Sequence, residues 1–105
     1  MPAQLSSEVA VIVRVRVPTP LRSYTGAAEV DVAVPVLAPE LPPTVGGVLA
    51  ALDQGFPGIR FRIIDEQGGV RRHIKLFVGA ALVRDLGTPI AQGSDVMIVA
   101  ALSGG

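Results

Sequence analysis

From Val9 to Val17 the chain alternates without a break, with Val9, Val11, Val13, Val15 and Val17 on one face and Ala10, Ile12, Arg14 and Arg16 on the other. That period of two predicts a strand with a buried valine face. Pro18-Thr19-Pro20 ends it, because proline has no N–H to give a ladder. Leu21 to Gly26 reads as a connection longer than a two-residue hairpin turn. Alternation resumes over Ala28 to Val34, with Val30, Val32 and Val34 inward and Glu29 and Asp31 outward. The two strands are expected to pair antiparallel, so that outward arginines meet outward carboxylates.

Pro35 to Pro43 holds four prolines and reads as a linker from strand to helix. Thr44 suits an N-cap, and Val45, Val48, Leu49 and Leu52 follow at i, i+3, i+4 and i+7. The helix is expected to end near Gln54, closed by a left-handed Gly55, with Pro57-Gly58 blocking continuation. Gly46 and Gly47 weaken its first turn and let it lie close to the sheet. Ile59, Phe61 and Ile63 alternate with Arg60 and Arg62 and predict a short strand, the alternative being a helical turn. Asp65 to Gly69 is a turn.

Arg72 to Val78 predicts a strand with Ile74, Leu76 and Val78 on one face and His73, Lys75 and Phe77 on the other. Gly79 to Leu86 reads as a hairpin return, Thr88-Pro89-Ile90 as a single helical turn, and Asp95 to Ala101 as the last strand. The predicted order is β-β-α-β-β-β, an α+β domain with a mixed sheet of four to five strands on one main helix. The first and last strands are the most apolar and are expected side by side at the sheet centre. Residues 1–8 are expected to be a flexible N-terminus, 9–102 the domain, and 103–105 an extended tail.

Composition narrows the chemistry. Half of the 105 residues are hydrophobic and 17% are charged, which excludes a disordered polar chain. Nine basic against nine acidic side chains give no net field for a polyanion, so no nucleic acid partner is expected. There is no cysteine, and His73 is the one histidine, so thiolate chemistry, a metal site and a Ser/His/Asp triad are all poorly supplied. A solvated strand histidine is the expected role of His73. No apolar run approaches the ~20 residues of a membrane span, and a soluble, cytoplasmic domain is expected.

The last strand runs into Ser103-Gly104-Gly105. Glycine has no Cβ, so such a thread can enter a cleft too narrow for side chains and present the Gly105 α-carboxylate there. A frayed end is the alternative. With Val96 and Ile98 facing the helix, Met97 and Val99 lie on the opposite face, joined by Phe77 and flanked by Arg14 and Arg16. Apolar groups ringed by charge mark a protein interaction site, unless they only cover the sheet face.

The element order and the Gly-Gly end together resemble the ubiquitin-like β-grasp sulfur carriers: ThiS of thiamin synthesis, the small subunit of molybdopterin synthase, and above all the carrier that serves a cysteine synthase. The resemblance covers residues 9–105. It rests on Val17-Pro18-Thr19-Pro20-Leu21-Arg22 with Thr25-Gly26, on Arg72 to Val78, and on Gly93-Ser94-Asp95-Val96 through Gly105. The chain departs from the family at Gly79-Ala80, where members often carry Asn followed by Gly or Asp, and at Ala100-Ala101, where they often carry proline.

The resemblance implies a cosubstrate and not an enzyme, with no bound cofactor. A ubiquitin-activating-type adenylating enzyme would join Gly105 to AMP from ATP. Sulfur would then displace AMP to leave a thiocarboxylate for a sulfur-accepting synthase, in the making of cysteine, thiamin, molybdopterin or another sulfur-containing metabolite. The carrier's own part is binding and positioning. A ubiquitin-like modifier joined through Gly105, or a plain β-grasp interaction module, are the alternatives. Lys75 is the only lysine, so a modifier of this sequence has little scope for varied chains.

Overall fold

The computed structural model describes residues 9–38 and 40–101. The expected N-terminal segment 1–8 and the Ser103-Gly104-Gly105 tail lie outside the described residues. Five strands form one sheet: β1 (Val9–Arg16), β2 (Glu29–Val36), β3 (Ile74–Val78), β4 (Ala81–Val83) and β5 (Asp95–Ala100), in the spatial order β2-β1-β5-β3-β4. β1 and β2 pair antiparallel from Val9↔Val36 to Arg16↔Glu29. β5 lies parallel to β1 on one side and antiparallel to β3 on the other. The first and last strands therefore meet at the centre, as their apolar sequences require.

The helical layer is α1 (Arg22–Thr25), α2 (Val45–Gly55) and α3 (Ile59–Ile63), with a 3-10 turn at Thr19–Leu21. α2 buries Val45, Val48, Leu49 and Leu52 completely against Val13, Val15, Val32, Val34, Leu76, Val96 and Ile98 of the sheet. Val11 is half-buried and Val9 is 59% exposed, so the predicted valine face loses its cover toward the N-terminal end of β1. No described helix is long and apolar enough to cross a membrane.

The start of α2 is fully satisfied. Thr44 Oγ1 accepts from Gly47 N at 3.1 Å, and the carbonyls of Thr88 and Leu86 accept from Val45 N and Gly46 N at 2.9 and 2.8 Å. The loop after β4 thus supplies acceptors that a helix N-terminus cannot find within itself. The close approach to the sheet expected at Gly46 and Gly47 is present at Gly47, where a Cβ would stand 3.4 Å from Val34 Cγ1; Gly46 lies instead against the loop after β4, where a Cβ would stand 3.3 Å from Leu86 O.

Five local expectations are corrected. Ile59–Ile63 is a helix and not a strand, because Ile59, Ile63 and Ile64 must all reach the core, and Asp53 Oδ1 accepts from Gly58 N and Arg60 N at its start. Gly55 is the last helical residue and not a left-handed cap; Gly58, at φ 98°, makes the left-handed turn instead. The linker begins later than Pro35, which belongs to β2. That proline is tolerated because β2 is an edge strand and Pro35 needs no outward partner. The connection after β1 is helical over Thr19–Thr25. Thr88-Pro89-Ile90 is an extended bridge to Thr44 and not a helical turn, with Ile90 N donating to Pro43 O at 2.7 Å.

Candidate functional site

The helix-free face of the sheet carries the predicted docking residues. Val96 and Ile98 are buried under the helices, so Met97 and Val99 project from the opposite face of β5, both half-buried. The register then sets their neighbours. Phe77 stands opposite Met97 on one side and Leu82 on the other, and Met97 stands opposite Arg16, which faces Glu29. Leu82, Phe77, Met97, Arg16 and Glu29 form one row across all five strands. Lys75 stands opposite Val99 in a second row. The structure thus brings Phe77, Met97, Val99, Arg14 and Arg16 onto one face.

Leu82, 46% exposed, completes the apolar end of the row and was not singled out from the sequence. Its signal was the two-residue turn at Gly79-Ala80, which places Leu82 directly opposite Phe77. Gly79 sits at φ 59°, where a side chain would be strained.

The two arginines are occupied. Arg14 Nε lies 3.2 Å from Asp31 Oδ1 and its Nη1 lies 3.5 Å from Glu29 Oε1. Arg16 shares Glu29 at 3.9 Å and reaches Asp95 at 3.6 Å. Hydrogen bonding to Asp31, then the charges of Asp31 and Glu29, push Arg14 above its ordinary pKa. Among the described residues every ion pair involves one of these two arginines, so this end of the face is neutralised from within. Exposed pairs of this kind add little stability, and their role here is to fix side-chain directions.

Two grooves meet the end of β5. β1 pairs with β5 only from Arg14↔Asp95 to Arg16↔Met97, while β3 accompanies it to Ala100, and Ala101 N donates to His73 O at 2.8 Å. Past Met97 the flank toward β1 opens into a groove of about 720 Å³ between Pro18-Thr19-Pro20 and Met97 to Ala100. A second, of about 600 Å³, lies on the helix side between Tyr24, Phe61, Arg62, Arg71, His73 and Ala100-Ala101. His73, expected on the strand face of Lys75 and Phe77, instead lies in the turn before β3 and lines this second groove. No set of His, Asp or Glu among the described residues is arranged to hold a metal.

The arginines at this end differ from Arg14 and Arg16. Arg62 Nε donates to Tyr24 Oη at 2.7 Å, Arg71 Nε donates to Phe61 O at 2.7 Å, and Arg22 Nε donates to Val17 O at 2.9 Å. Arg71 also lies over the Phe61 ring, 4.6 Å from its centroid. The hydrogen bond to Tyr24 holds Arg62 even more firmly protonated than an ordinary arginine. Sequence reading missed this cluster because it placed Arg60 and Arg62 on a strand, far from Tyr24.

Neither the family models nor the curated proteins offer a match to this chain. Solved structures do. Mycobacterium tuberculosis CysO is 31% identical and superposes with a TM-score of 0.73, over 86% of this chain and 99% of CysO. This chain belongs to the ubiquitin-like β-grasp carrier and modifier proteins. A chain of the Amycolatopsis orientalis BexX/CysO complex is 27% identical, with a TM-score of 0.74 over 89% of this chain and 99% of its own. The small archaeal modifier protein 1 of Haloferax volcanii shares the fold, at 22% identity and a TM-score of 0.71 over 90% of this chain and 99% of its own. These family members are small carriers and modifiers and not catalysts, and the chain is a sulfur carrier or ubiquitin-like protein.

Proposed function

We propose that this chain is a sulfur carrier whose working group is the Gly105 carboxylate. The observation that supports this reading is the placement of β5: the strand that leads toward Ser103-Gly104-Gly105 is the central one of a sheet shared with CysO. A carboxylate is a poor electrophile, since its charge repels nucleophiles. An adenylating enzyme of the ubiquitin-activating type solves this by letting a Gly105 oxygen attack the α-phosphorus of ATP, with pyrophosphate leaving. Hydrosulfide then attacks the acyl carbon, and AMP departs with its bonding pair. The resulting thiocarboxylate is a sulfur nucleophile at ordinary pH, ready for a sulfur-accepting synthase.

The carrier supplies neither acid nor base to these steps. Its contribution is to be held, and the row Leu82, Phe77 and Met97 with the adjacent Val99 is the apolar part of the surface that does the holding. Apolar and aromatic groups at the centre of a contact dominate its energetics.

The test is the intact mass of the protein after incubation with an adenylating enzyme from the same source, ATP and sulfide. A gain of about 16 Da, one oxygen exchanged for sulfur at the acyl carbon, is expected for the full chain and not for a chain lacking Gly105. Adducts to other proteins that survive reductant and boiling, with no such mass gain, would instead assign Gly105 to isopeptide formation.

A further inference from the structure

Charge is unevenly spread over this formally neutral chain. The acids Glu29, Asp31 and Asp95 cluster on the helix-free face and are shared by Arg14 and Arg16. The helix-side groove at Ala100-Ala101 is different: Arg62, Arg71 and His73 line it, with no side-chain carboxylate among the described residues. A neighbouring groove shares Arg71 and Ile74 with it and adds Arg72, Lys75 and Arg84, again with no side-chain carboxylate among the described residues. Five of the nine basic side chains thus line two adjoining grooves, a belt whose Arg62–Arg71 end reaches Ala100 and Ala101, the last described residues.

Two of these guanidinium groups are fixed in place by neutral partners. Arg62 is held through Nε by the Tyr24 hydroxyl, and Arg71 through Nε by the Phe61 carbonyl and from above by the Phe61 ring. A guanidinium bound through Nε keeps its two terminal nitrogens for an outside acceptor, and it has already lost the rotamer freedom that binding would otherwise cost. Arginines held in this way suit planar carboxylates.

We propose that this belt is a docking surface for an acidic protein surface, the Asp- and Glu-lined rim of the slot that receives the chain's C-terminus in a partner enzyme. The place of the belt argues for this occupant. A protein that takes Gly105 into an active site comes up to Ala100 and Ala101, and on the helix side the Arg62–Arg71 end of the belt is what it meets there. Nucleic acid is disfavoured because nine acidic against nine basic side chains leave the chain without a net field to draw an extended polyanion. Such a partner presupposes the carrier reading given above.

The experiment compares binding of the wild-type chain, the Arg62→Gln/Arg71→Gln double variant and the Arg62→Lys/Arg71→Lys double variant to the adenylating enzyme from the same source. Thermal melts confirm that each variant is folded. At ~20 mM salt the glutamine variant is expected to bind about tenfold more weakly through slower association, and the lysine variant, which keeps the charge but not the fixed guanidinium fork, to recover only part of the loss. Raising salt to ~300 mM should bring wild type down toward the glutamine variant. Equal affinity and equal salt dependence in all three overturns the proposal.

Absence of wild-type binding to the adenylating enzyme would defeat the carrier reading and leave the belt to a second readout. In a 15N NMR titration with an octaglutamate peptide, shifts concentrated at Arg62, Arg71, Ala100 and Ala101 uphold an acidic-protein surface. No shifts there, or the same shifts reached at lower concentration with inorganic phosphate or a single-stranded oligonucleotide, overturn it.

Discussion

Replacing each helical glycine of α2 by alanine should give three different results, ordered by what the new methyl group meets. Gly55 ends the helix with a negative φ and open space within 4 Å. Alanine there loses less backbone entropy on folding and strains nothing, for a gain of ~0.5–1 kcal/mol. For a domain of this size that is a rise of roughly 2–6 °C in Tm. At Gly47 the methyl meets Val34 Cγ1 at 3.4 Å, a side-chain atom that can give slightly, so gain and crowding nearly cancel.

Gly46 is the hard case. Its Cβ would lie 3.3 Å from Leu86 O and 3.4 Å from Leu86 Cβ. That oxygen accepts the Gly46 N–H at 2.8 Å, and its loop is braced by Asp85, whose Oδ1 accepts from Gly87 N at 2.8 Å and whose carbonyl accepts from Thr88 Oγ1 at 2.7 Å. Backbone so held cannot retreat without losing bonds. Overpacking of ~1–3 kcal/mol against a propensity gain of ~1 leaves Gly46→Ala between neutral and about 2 kcal/mol less stable. Chemical denaturation read by far-UV circular dichroism measures all three variants. A Gly46→Ala protein as stable as Gly55→Ala would show that the helix start is not packed against the Leu86 loop as described.

Other outcomes follow from the same contacts. Thr44→Ala removes the acceptor of the Gly47 N–H and should cost about 1 kcal/mol, seen as a lower denaturation midpoint with an unchanged slope. Leu76→Ala, at a residue with no exposed surface between β4 and β5, should cost ~2–5 kcal/mol in the same assay. Met97→Asp places a charge in the middle of the apolar row beside Phe77; the fold should survive, while affinity for the adenylating enzyme drops by about 2 kcal/mol or more in calorimetry. Arg14→Gln should leave Tm almost unchanged, because both of its carboxylate partners are solvent-exposed.

β1 and β2 were legible because their valines alternate over long runs, and a run such as Val9 to Val17 has no competing period; the three-residue β4 was read only as a hairpin return, being too short to show a period. α2 was legible from Thr44 and the spacing of Val45, Val48, Leu49 and Leu52. Ile59–Ile63 was misread because five residues are too few to separate a period of 2 from 3.6. What decides it is tertiary: Asp53, on the preceding helix, caps it, and Ile59, Ile63 and Ile64 share one buried destination. Strand Pro35 was hidden because edge position is a property of the sheet. On the open face, Phe77, Met97 and Val99 followed from parity alone, but the carboxylate partners of Arg14 and Arg16 and the belt around Arg62 and Arg71 depend on register and on α3.

β5 is gripped from both sides: β1 holds Asp95 to Met97 and β3 holds Val96 to Ala100. A tug on Ala101 directed along the strand runs across the hydrogen bonds of both ladders and loads them together, in shear. A strand peeled from an edge, such as the three-residue β4, would lose its bonds one at a time. Tension applied to the end of this chain is therefore passed to the sheet centre, where Val96 and Ile98 are locked under α2. An enzyme can haul on that end without unravelling the domain it hangs from.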